Sequence, residues 1–501
     1  MLRKSLVLLF CLLPAYLQAQ PNFLFITVDD MNCDSIGAFG CPLEEITPSI
    51  DKLAAESLRF DKAHVVVGNC FPSRNVMFSG RYPHSSGVEG FYPVKPTDFP
   101  VLCDLMQQAG YYAAIRGKVS HSTPYQPYAW DADLTILPDG SKAHLKDAES
   151  YYTSVKTGIE SATEQEKPFF INVNISDPHK PFWKPGDKHP TSRVYTADEV
   201  PVPGYLWDDP IVREELALYY SSVRRADDCV GEILRALEES GKEKDTIVMF
   251  LSDHGMPLPF SKTQLYHHST KTPLIIHWPG VTKAGAVDEA HLVSAVDLLP
   301  TWLEIANIEA PAGLDGKSFV NLIKGQAEEG WDHVYKEYNE NSGGQRAPIR
   351  AVETHQFLYL FNPWSDGVRK FKTATQGTAT YRRMKEVAPE NSDIAARLNL
   401  FDFRVVEELY DVSKDPDCLV NLAENPEYQP QIQEMRQNLG AWLEQTNDPA
   451  NEAFANRDSP ELVEAFMARI EAESAERRAN RRKNKKAAAA KNQKQTKKPK
   501  D

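Results

Sequence analysis

Cysteine is scarce in this sequence. Seven cysteines occur among 501 residues, and they are scattered without the close spacing of a zinc site. The wide scatter also excludes the dense disulfide framework of a small secreted domain. We therefore expect a core held together by buried apolar side chains, for which an apolar content of 42% is sufficient.

Apolar runs long enough to cross a membrane are also missing near the N-terminus. The run over residues 6–13 is shorter than the roughly 20 residues that a spanning helix needs. It follows two basic residues and precedes the small residue Ala19, so we predict a signal peptide over residues 1–19. The alternatives are a membrane anchor and a lipoprotein acylated at Cys11, and bulky residues before Cys11 disfavour the lipoprotein. We expect an exported protein without stable membrane insertion.

Sites for N-glycosylation are nearly absent. The one sequon, Asn174-Ile175-Ser176, lies in an apolar run of strand type, where a glycan has no room. A lysosomal enzyme of this size usually carries several usable sequons. We therefore expect a bacterial periplasmic or secreted protein rather than a lysosomal one.

Positive charge is in deficit over most of the chain. Lys and Arg number 56 against 70 Asp and Glu, and the net charge of −14 argues against a nucleic-acid partner. Residues 477–501 are the exception, with twelve basic residues and one acidic residue. We predict a helical or disordered basic tail over residues 456–501. It is either a solvated extension without a specific role or a contact for an anionic surface or polymer.

Short apolar runs of β-type composition alternate with helical patterns. The runs cover residues 23–28, 111–115, 169–175 and 246–251, and the helical patterns cover 50–58, 101–109 and 213–240. This alternation predicts an α/β fold in which helices cover both faces of a sheet. Each run ends at polar residues. A single polar residue after a strand often only forms a turn or caps a helix, but we expect the four strand ends to meet at one site.

Three aspartates at these strand ends suggest a metal site. Asp29, Asp30 and Asp253 offer hard carboxylate oxygens that suit Ca²⁺ or Mg²⁺ better than zinc. His254 either completes the ligand set or contacts substrate. The alternative is that Asp253 caps a helix and lies apart from Asp29.

The sequence Asn-Cys-Phe-Pro-Ser-Arg at residues 69–74 is the sharpest local signal. Pro72 and Ser73 favour a helix start, which places Cys70 at the positive helix end beside Arg74. Such a position is expected to lower the pKa of the thiol and to attract anions. From these residues alone, Cys70 is a thiol nucleophile or a buried structural cysteine.

This motif, with Ser-Gly-Arg at residues 79–81, resembles the signature of the formylglycine-dependent (type I) sulfatases of the alkaline-phosphatase superfamily. Motifs at residues 28–30, 117–121, 177–181 and 252–255 stand in the family's order, and the resemblance covers roughly residues 21–450. It implies a large mixed sheet sandwiched by helices over residues 20–330, which is the catalytic domain. A smaller C-terminal α+β domain is implied over residues 331–455.

The resemblance also implies roles for individual residues. A maturation enzyme would oxidise Cys70 to formylglycine, whose hydrate attacks the sulfur of a sulfated glycan. The implied ligands of one Ca²⁺ ion are Asp29, Asp30, Cys70, Asp253 and His254. Arg74 and Lys118 are expected to support the hydrate, His121 to act as the base that regenerates the aldehyde, and His179 and Lys262 to contact sulfate.

Within the family, residues 251–266 and 442–449 are most similar to the heparan N-sulfatase (sulfamidase) branch. His254 and Lys262 depart from that branch, which has Asn and Arg there, and residues 117–121 resemble iduronate-sulfatase-like relatives. The sulfated sugar, and N-sulfate against O-sulfate, stay open. Four further polar residues have two interpretations, a place on the rim of the substrate site or, as we expect, on a surface loop: Glu337, Tyr338, Asn339 and Arg350.

Two other functions are compatible with the same residues. One is a phosphoester or phosphonate hydrolase on the same architecture, and the other is a glycan-binding protein in which Cys70 is unmodified and inactive. The sequence leaves exo or endo action and the oligomeric state open.

Overall fold

A computed structural model describes residues 20–94 and 97–496, with side chains described as far as residue 483. The predicted signal peptide, residues 1–19, lies outside the described residues. Within the described ranges, no helix combines the length and apolarity needed to cross a membrane.

Fourteen strands are described. They are β1 (Asn22–Asp29), β2 (Leu58–Phe60), β3 (Ala63–His64), β4 (Tyr112–Arg116), β5 (Ala132–Asp133), β6 (Phe169–Pro178), β7 (Thr246–Ser252), β8 (Leu274–His277), β9 (Ala286–Asp288), β10 (Val293–Ser294), β11 (His333–Glu340), β12 (Arg346–Thr354), β13 (Phe357–Phe361) and β14 (Glu407–Asp411).

The described residues also form fourteen α-helices. They are α1 (Pro48–Ala55), α2 (Cys70–Ser79), α3 (Pro83–Ser86), α4 (Leu102–Gln108), α5 (Ala148–Glu164), α6 (Pro210–Glu239), α7 (His267–Thr270), α8 (Leu298–Ile305), α9 (Val320–Ile323), α10 (Ala379–Val387), α11 (Ser392–Phe403), α12 (Gln429–Gln445), α13 (Asn451–Ala455) and α14 (Pro460–Thr496).

The large sheet has eight strands in the order β5-β4-β6-β1-β7-β8-β2-β9. The strands from β5 to β7 are parallel, β8 is antiparallel to β7 and β2, and β9 is parallel to β2. The four predicted apolar runs form β1, β4, β6 and β7, and the predicted helical patterns form α1, α4 and α6. The prediction of a mixed α/β sheet is confirmed.

Strand β1 shows why both faces of this sheet are covered. Phe23 and Phe25 point into one apolar core, where Phe25 packs edge-on against Trp302 of α8. Leu24 and Ile26 point into a second core on the other face, which includes buried side chains of α6. Side chains alternate between the faces of a strand, so an uninterrupted apolar run is what a doubly covered strand requires.

A second, antiparallel sheet follows in the order β11-β12-β13-β14. The expected surface loop at residues 337–350 is wrong, because Glu337, Tyr338, Asn339 and Arg350 are buried in β11 and β12. A buried partner neutralises the charge of Arg350, which binds both carboxylate oxygens of Asp448 at 2.5 and 2.9 Å.

His84 belongs to the same buried group. Its Nδ1 atom lies 2.7 Å from Glu337 Oε2 and 3.4 Å from Asp448 Oδ2. Burial alone would lower the pKa of His84, but the two carboxylates outweigh burial and raise it to about 9. The imidazolium therefore links α3 to the second sheet at neutral pH.

This link makes stability depend on pH. Because the folded-state pKa of His84 exceeds its ordinary value of 6.5, the contribution is complete below about pH 6.5 and lost as the pH rises through about 9. We expect the free energy of unfolding to fall by on the order of 3 kcal/mol over that range. Urea denaturation of His84→Gln should show most of this slope removed, whereas His333→Gln, at a more exposed histidine, should retain it. An equal slope in both variants would contradict the assignment.

Candidate active site

Parallel strands bring the predicted site residues to one edge of the large sheet. The backbone N–H of Asp253, directly after β7, donates to the carbonyl of Val28 at 3.1 Å. The N–H of Asp30, directly after β1, donates to Asp253 Oδ1 at 3.1 Å. These bonds join the two strand ends, so the alternative in which Asp253 lies apart from the aspartates of β1 is wrong.

Cys70 is the first residue of α2 and faces this edge. Its Sγ atom lies 3.5 Å from Asp29 Oδ1, 3.3 Å from His254 Nε2 and 3.6 Å from Lys262 Nζ. Asp30 Oδ1 is 3.9 Å away, and only 3% of Cys70 is exposed. The structure therefore places the predicted nucleophile among the predicted metal ligands.

The expected low pKa of the thiol is wrong. Burial raises the pKa of Cys70 well above its ordinary value, and the nearby Asp29 carboxylate raises it further. Lys262 and Lys118 lower it but do not outweigh burial. Because the thiolate is the reactive form of cysteine, this environment disfavours an ordinary thiol nucleophile.

Three cationic side chains each pair with one of three buried carboxylates. The pairs are Lys118 with Asp29, Lys262 with Asp30 (Nζ to Oδ2, 2.6 Å) and Arg74 with Asp253 (Nε to Oδ2, 3.0 Å). Burial alone would raise the pKa of each carboxyl, but Lys118 holds that of Asp29 well below its usual range and Lys262 lowers that of Asp30. The pKa of Asp253 is raised, because burial outweighs Arg74.

The donor set fits a hard divalent cation. Ligand atoms of Asp29, Asp30, Cys70 and His254 all lie within 4.8 Å of one another, and all four residues are buried. Asp253 Oδ1 lies 3.7 Å from His254 Nε2, at the border of this group. Carboxylate oxygens predominate among these ligand atoms, as Ca²⁺ prefers.

Two residues that orient Arg74 were missed by the sequence interpretation. Arg74 Nη1 donates to Thr27 Oγ1 at 2.7 Å and to Asn174 Oδ1 at 2.5 Å. The amide of Asn174 also donates to the carbonyl of Gly117 at 3.0 Å. The available sequence signal is an asparagine within the apolar run 169–175, and the structure shows that this side chain is fully buried.

The turn after β4 aims Lys118 at Asp29. Gly117 has φ +72°, and a Cβ atom there would lie 2.6 Å from the carbonyl oxygen of Asn174. Lys118 itself has φ +49°. Only glycine combines this backbone angle with so close an approach to a neighbouring strand.

We expect Gly117→Ala to lower the free energy of unfolding by about 3 kcal/mol or more and to reduce activity by displacing Lys118. Gly110→Ala is the matched control, since Gly110 has φ +90° but nothing within 4 Å of its Cβ position. That control should lose only the backbone cost of about 1–2 kcal/mol and retain activity. Urea denaturation measures both losses, and equal losses would show that the approach to Asn174 is unimportant.

Two histidines complete the set of predicted residues. His121 packs edge-on against Phe71, with ring centroids 5.5 Å apart, and its buried Nδ1 has no hydrogen-bond partner among the described residues. Burial and the charge of Lys118 lower its pKa to about 3, so the imidazole is neutral at pH 7. His179 is half-buried, and its Nδ1 lies 2.6 Å from the carbonyl oxygen of Lys180, which requires the proton on Nδ1.

Family profiles match two overlapping segments of the chain. The sulfatase family profile matches residues 21–308, more than half of the chain. The profile described as N-sulphoglucosamine sulphohydrolase, C-terminal, matches residues 253–365. The two matches overlap over residues 253–308 and together extend from residue 21 to residue 365.

Among curated relatives, an ulvan-active sulfatase of Formosa agariphila is 26% identical over 487 residues, covering 87% of this chain and 76% of the relative. Human N-sulphoglucosamine sulphohydrolase is 28% identical over 494 residues, covering 86% and 92% of the two chains. The structure of a protein in complex with its substrate D-glucosamine-2-N,6-O-disulfate has a TM-score of 0.63 at 19% identity, covering 86% and 98%.

The phosphonate monoester hydrolase of Agrobacterium radiobacter has a TM-score of 0.59 at 19% identity, covering 85% of this chain and 96% of that one. Such structural likenesses show the alkaline-phosphatase-like fold. The family profiles and the human relative go further. The chain belongs to the sulfatase family, whose members hydrolyse sulfuric esters or sulfamates, and its residues 253–365 match the sulfamidase-type profile.

Proposed function

We propose that this protein is an exported sulfatase that removes sulfate groups from a sulfated polysaccharide or its oligosaccharides. The observation that carries the proposal is the position of Cys70 Sγ, buried at the start of α2 within 4 Å of Asp29, Asp30 and His254. Two of the relatives are named for sulfated saccharides, ulvan in one case and N-sulphoglucosamine in the other.

The proposed reaction depends on two groups that the chain would acquire. Formylglycine at position 70 would supply a hydrate oxygen as nucleophile, and Ca²⁺ would polarise the sulfate. Forming the aldehyde would consume one water molecule, whose oxygen becomes the carbonyl oxygen, and release hydrogen sulfide. Two protons and two electrons would pass to an oxidant that acts together with a maturation enzyme. Asp29, Asp30, Asp253 and His254, together with residue 70, would hold the cation.

The cationic side chains then place the sulfate. Lys262 lies 3.6 Å from Cys70 Sγ and 2.7 Å from Asp30 Oδ1, so its ammonium group faces both the nucleophile position and the metal site. It would attract sulfate without leaving the carboxylate. Arg74 orients Asp253, and Lys118 fixes Asp29. Such prearranged charges stabilise the anion that develops as the sulfur–oxygen bond breaks.

The two histidines suit proton transfer. His121 is neutral at pH 7 and retains an unpaired nitrogen, so it can accept the proton of a hydroxyl group at position 70. His179 donates its Nδ1 proton to the carbonyl of Lys180, so Nε2 is the nitrogen available to substrate. In the imidazolium form, Nε2–H would donate to a sulfate oxygen or pass its proton to the leaving alcohol or amine. Its half-exposed position is compatible with contact to a substrate that enters from solvent.

Sulfate release from a panel of N-, 2-O-, 4-O- and 6-O-sulfated saccharides tests the function and identifies the sulfated position. A phosphate monoester and a phosphonate monoester, assayed in parallel, test the alternative hydrolase. We expect sulfate release from at least one saccharide and much slower phosphoryl transfer. A preference for phosphate or phosphonate would overturn the proposal.

The mass of the tryptic peptide 63–74 tests the modification. Conversion of the thiol to the aldehyde lowers the mass by about 18 Da. Removal of divalent cations with a chelator should abolish turnover, and Ca²⁺ should restore it. An active protein that contains only unconverted Cys70 would contradict the formylglycine mechanism, and an inactive one would favour a glycan-binding role.

A further inference from the structure

We propose that the basic end of α14 forms a surface that binds the chain of a sulfated polysaccharide beside the active site. The surface comprises Arg478, Arg481, Arg482 and Lys483, and we call it the basic helix surface. This inference rests on the proposed function, because it names the polymeric form of the substrate that the same site would receive.

The preceding part of α14 is firmly packed on the protein. Phe466, Met467 and Ile470 are buried in the core that also includes the second sheet. Ser474 is 1% exposed, and its hydroxyl lies 2.9 Å from Glu340 Oε2 and 2.8 Å from the carbonyl oxygen of Gly344. Ser474 therefore fixes the point on the body from which the basic end of α14 begins.

That point lies next to the candidate catalytic residues. Arg477 stacks over the ring of Tyr92 at 4.2 Å, and Arg481 Nη1 donates to the carbonyl of Phe91 at 3.2 Å. The ring of Phe91 lies 5.9 Å from that of His121. One residue thus separates the basic helix surface from the proposed catalytic base.

The charges of this surface are available to a ligand. All four side chains are exposed, and none forms an ion pair with the side chains that the structure describes, whereas Arg477 pairs with Glu340. The chain continues with seven further lysines before Asp501. By contrast, the residues before Arg477 include 44 basic and 69 acidic ones.

This contrast indicates an anionic polymer. An acidic body repels a polysulfated chain, and an exposed cationic row at the approach to the site offsets this repulsion locally. We expect a short saccharide to fill the site without reaching the helix. Only the polymer would then bind more tightly because of the basic helix surface. The basic helix surface lies beside the active site, and this favours a sulfated glycan as its ligand. A surface that binds an anionic membrane would not need to lie there.

The test compares the wild-type protein with a variant that carries Arg478→Gln, Arg481→Gln, Arg482→Gln and Lys483→Gln. The matched control removes four lysines at the opposite edge of the sheet, with Lys167→Gln, Lys242→Gln, Lys244→Gln and Lys283→Gln. Heparin serves as the binding probe. We expect the first variant to bind heparin on the order of tenfold more weakly at low salt, with a shallower salt dependence, and the control to bind like the wild type.

Activity gives the second readout. With the substrate identified by the saccharide panel, KM for the polymer should rise on the order of tenfold in the first variant, while kcat/KM for the sulfated disaccharide stays unchanged. The proposal would be overturned by unchanged heparin binding in the first variant, or by an equal loss of heparin binding in the control. It would also be overturned by an equal loss of activity on polymer and disaccharide, or by binding of the protein to anionic lipid vesicles but not to heparin. If no saccharide releases sulfate even with the wild type, the proposed function fails, and heparin binding still reports on the basic helix surface.

Discussion

Replacing Cys70 by Ala is expected to abolish sulfate release, with a loss of at least about 10³-fold in kcat. Among the described residues, Cys70 is the nucleophile at this position, with Sγ within 3.5 Å of His254 and Asp29. The fold should persist, because the change removes one sulfur atom and leaves the three carboxylate–cation pairs intact. Sulfate release and circular dichroism measure the two effects.

Cys41→Ala provides the matched control for this change. Cys41 is buried, but its side chain lies outside the described metal-ligand cluster. We expect this variant to retain activity. Turnover by Cys70→Ala would show that another group attacks sulfur, and loss of activity in both variants would trace the effect to packing.

Replacing Arg74 by Met is expected to lower the free energy of unfolding by about 3–5 kcal/mol, because it leaves the carboxylate of Asp253 buried without its cation. Arg74 is fully buried and binds Asp253 through Nε and Nη2, at 3.0 and 2.9 Å. Sulfate release should fall by more than about 10²-fold, because Asp253 loses its orientation at the metal site. Urea denaturation in the presence of a chelator isolates the ion-pair contribution.

Arg350→Met separates stability from catalysis. Arg350 makes an equally buried two-point contact, to Asp448, in the second sheet. Its loss should cost a similar free energy of unfolding but leave kcat nearly unchanged at temperatures where the variant is folded. A similar loss of kcat in both variants would show that Arg74 acts only through stability.

The parallel strands and the site at their ends were predictable because both leave local signals. An apolar run such as residues 23–28 must be covered on both faces, and Asp29 follows at the point where such a strand ends. The helix start at Cys70 was equally readable from Pro72 and Ser73. Neighbouring residues carry this information, so no knowledge of the tertiary structure was needed.

What could not be predicted depends on packing between distant segments. Asn174 orients Arg74 across 100 positions of sequence, and no local pattern links the two. The pKa of Cys70 could not be predicted, because the sequence shows the helix start, which lowers the pKa, but not the burial, which raises it more. Glu337 and Arg350 were placed on a surface because charged residues usually lie there, and their buried partners are remote in sequence.

The enclosure of Cys70 has a consequence for the order of events during synthesis. At 3% exposure, at the start of a completely buried helix, the thiol offers no access to a second protein. The proposed modifying enzyme would therefore have to meet residues 69–74 while that stretch is still an extended peptide. The proposed maturation at Cys70 would then precede folding in time, and a chain that folds first would keep the unmodified thiol.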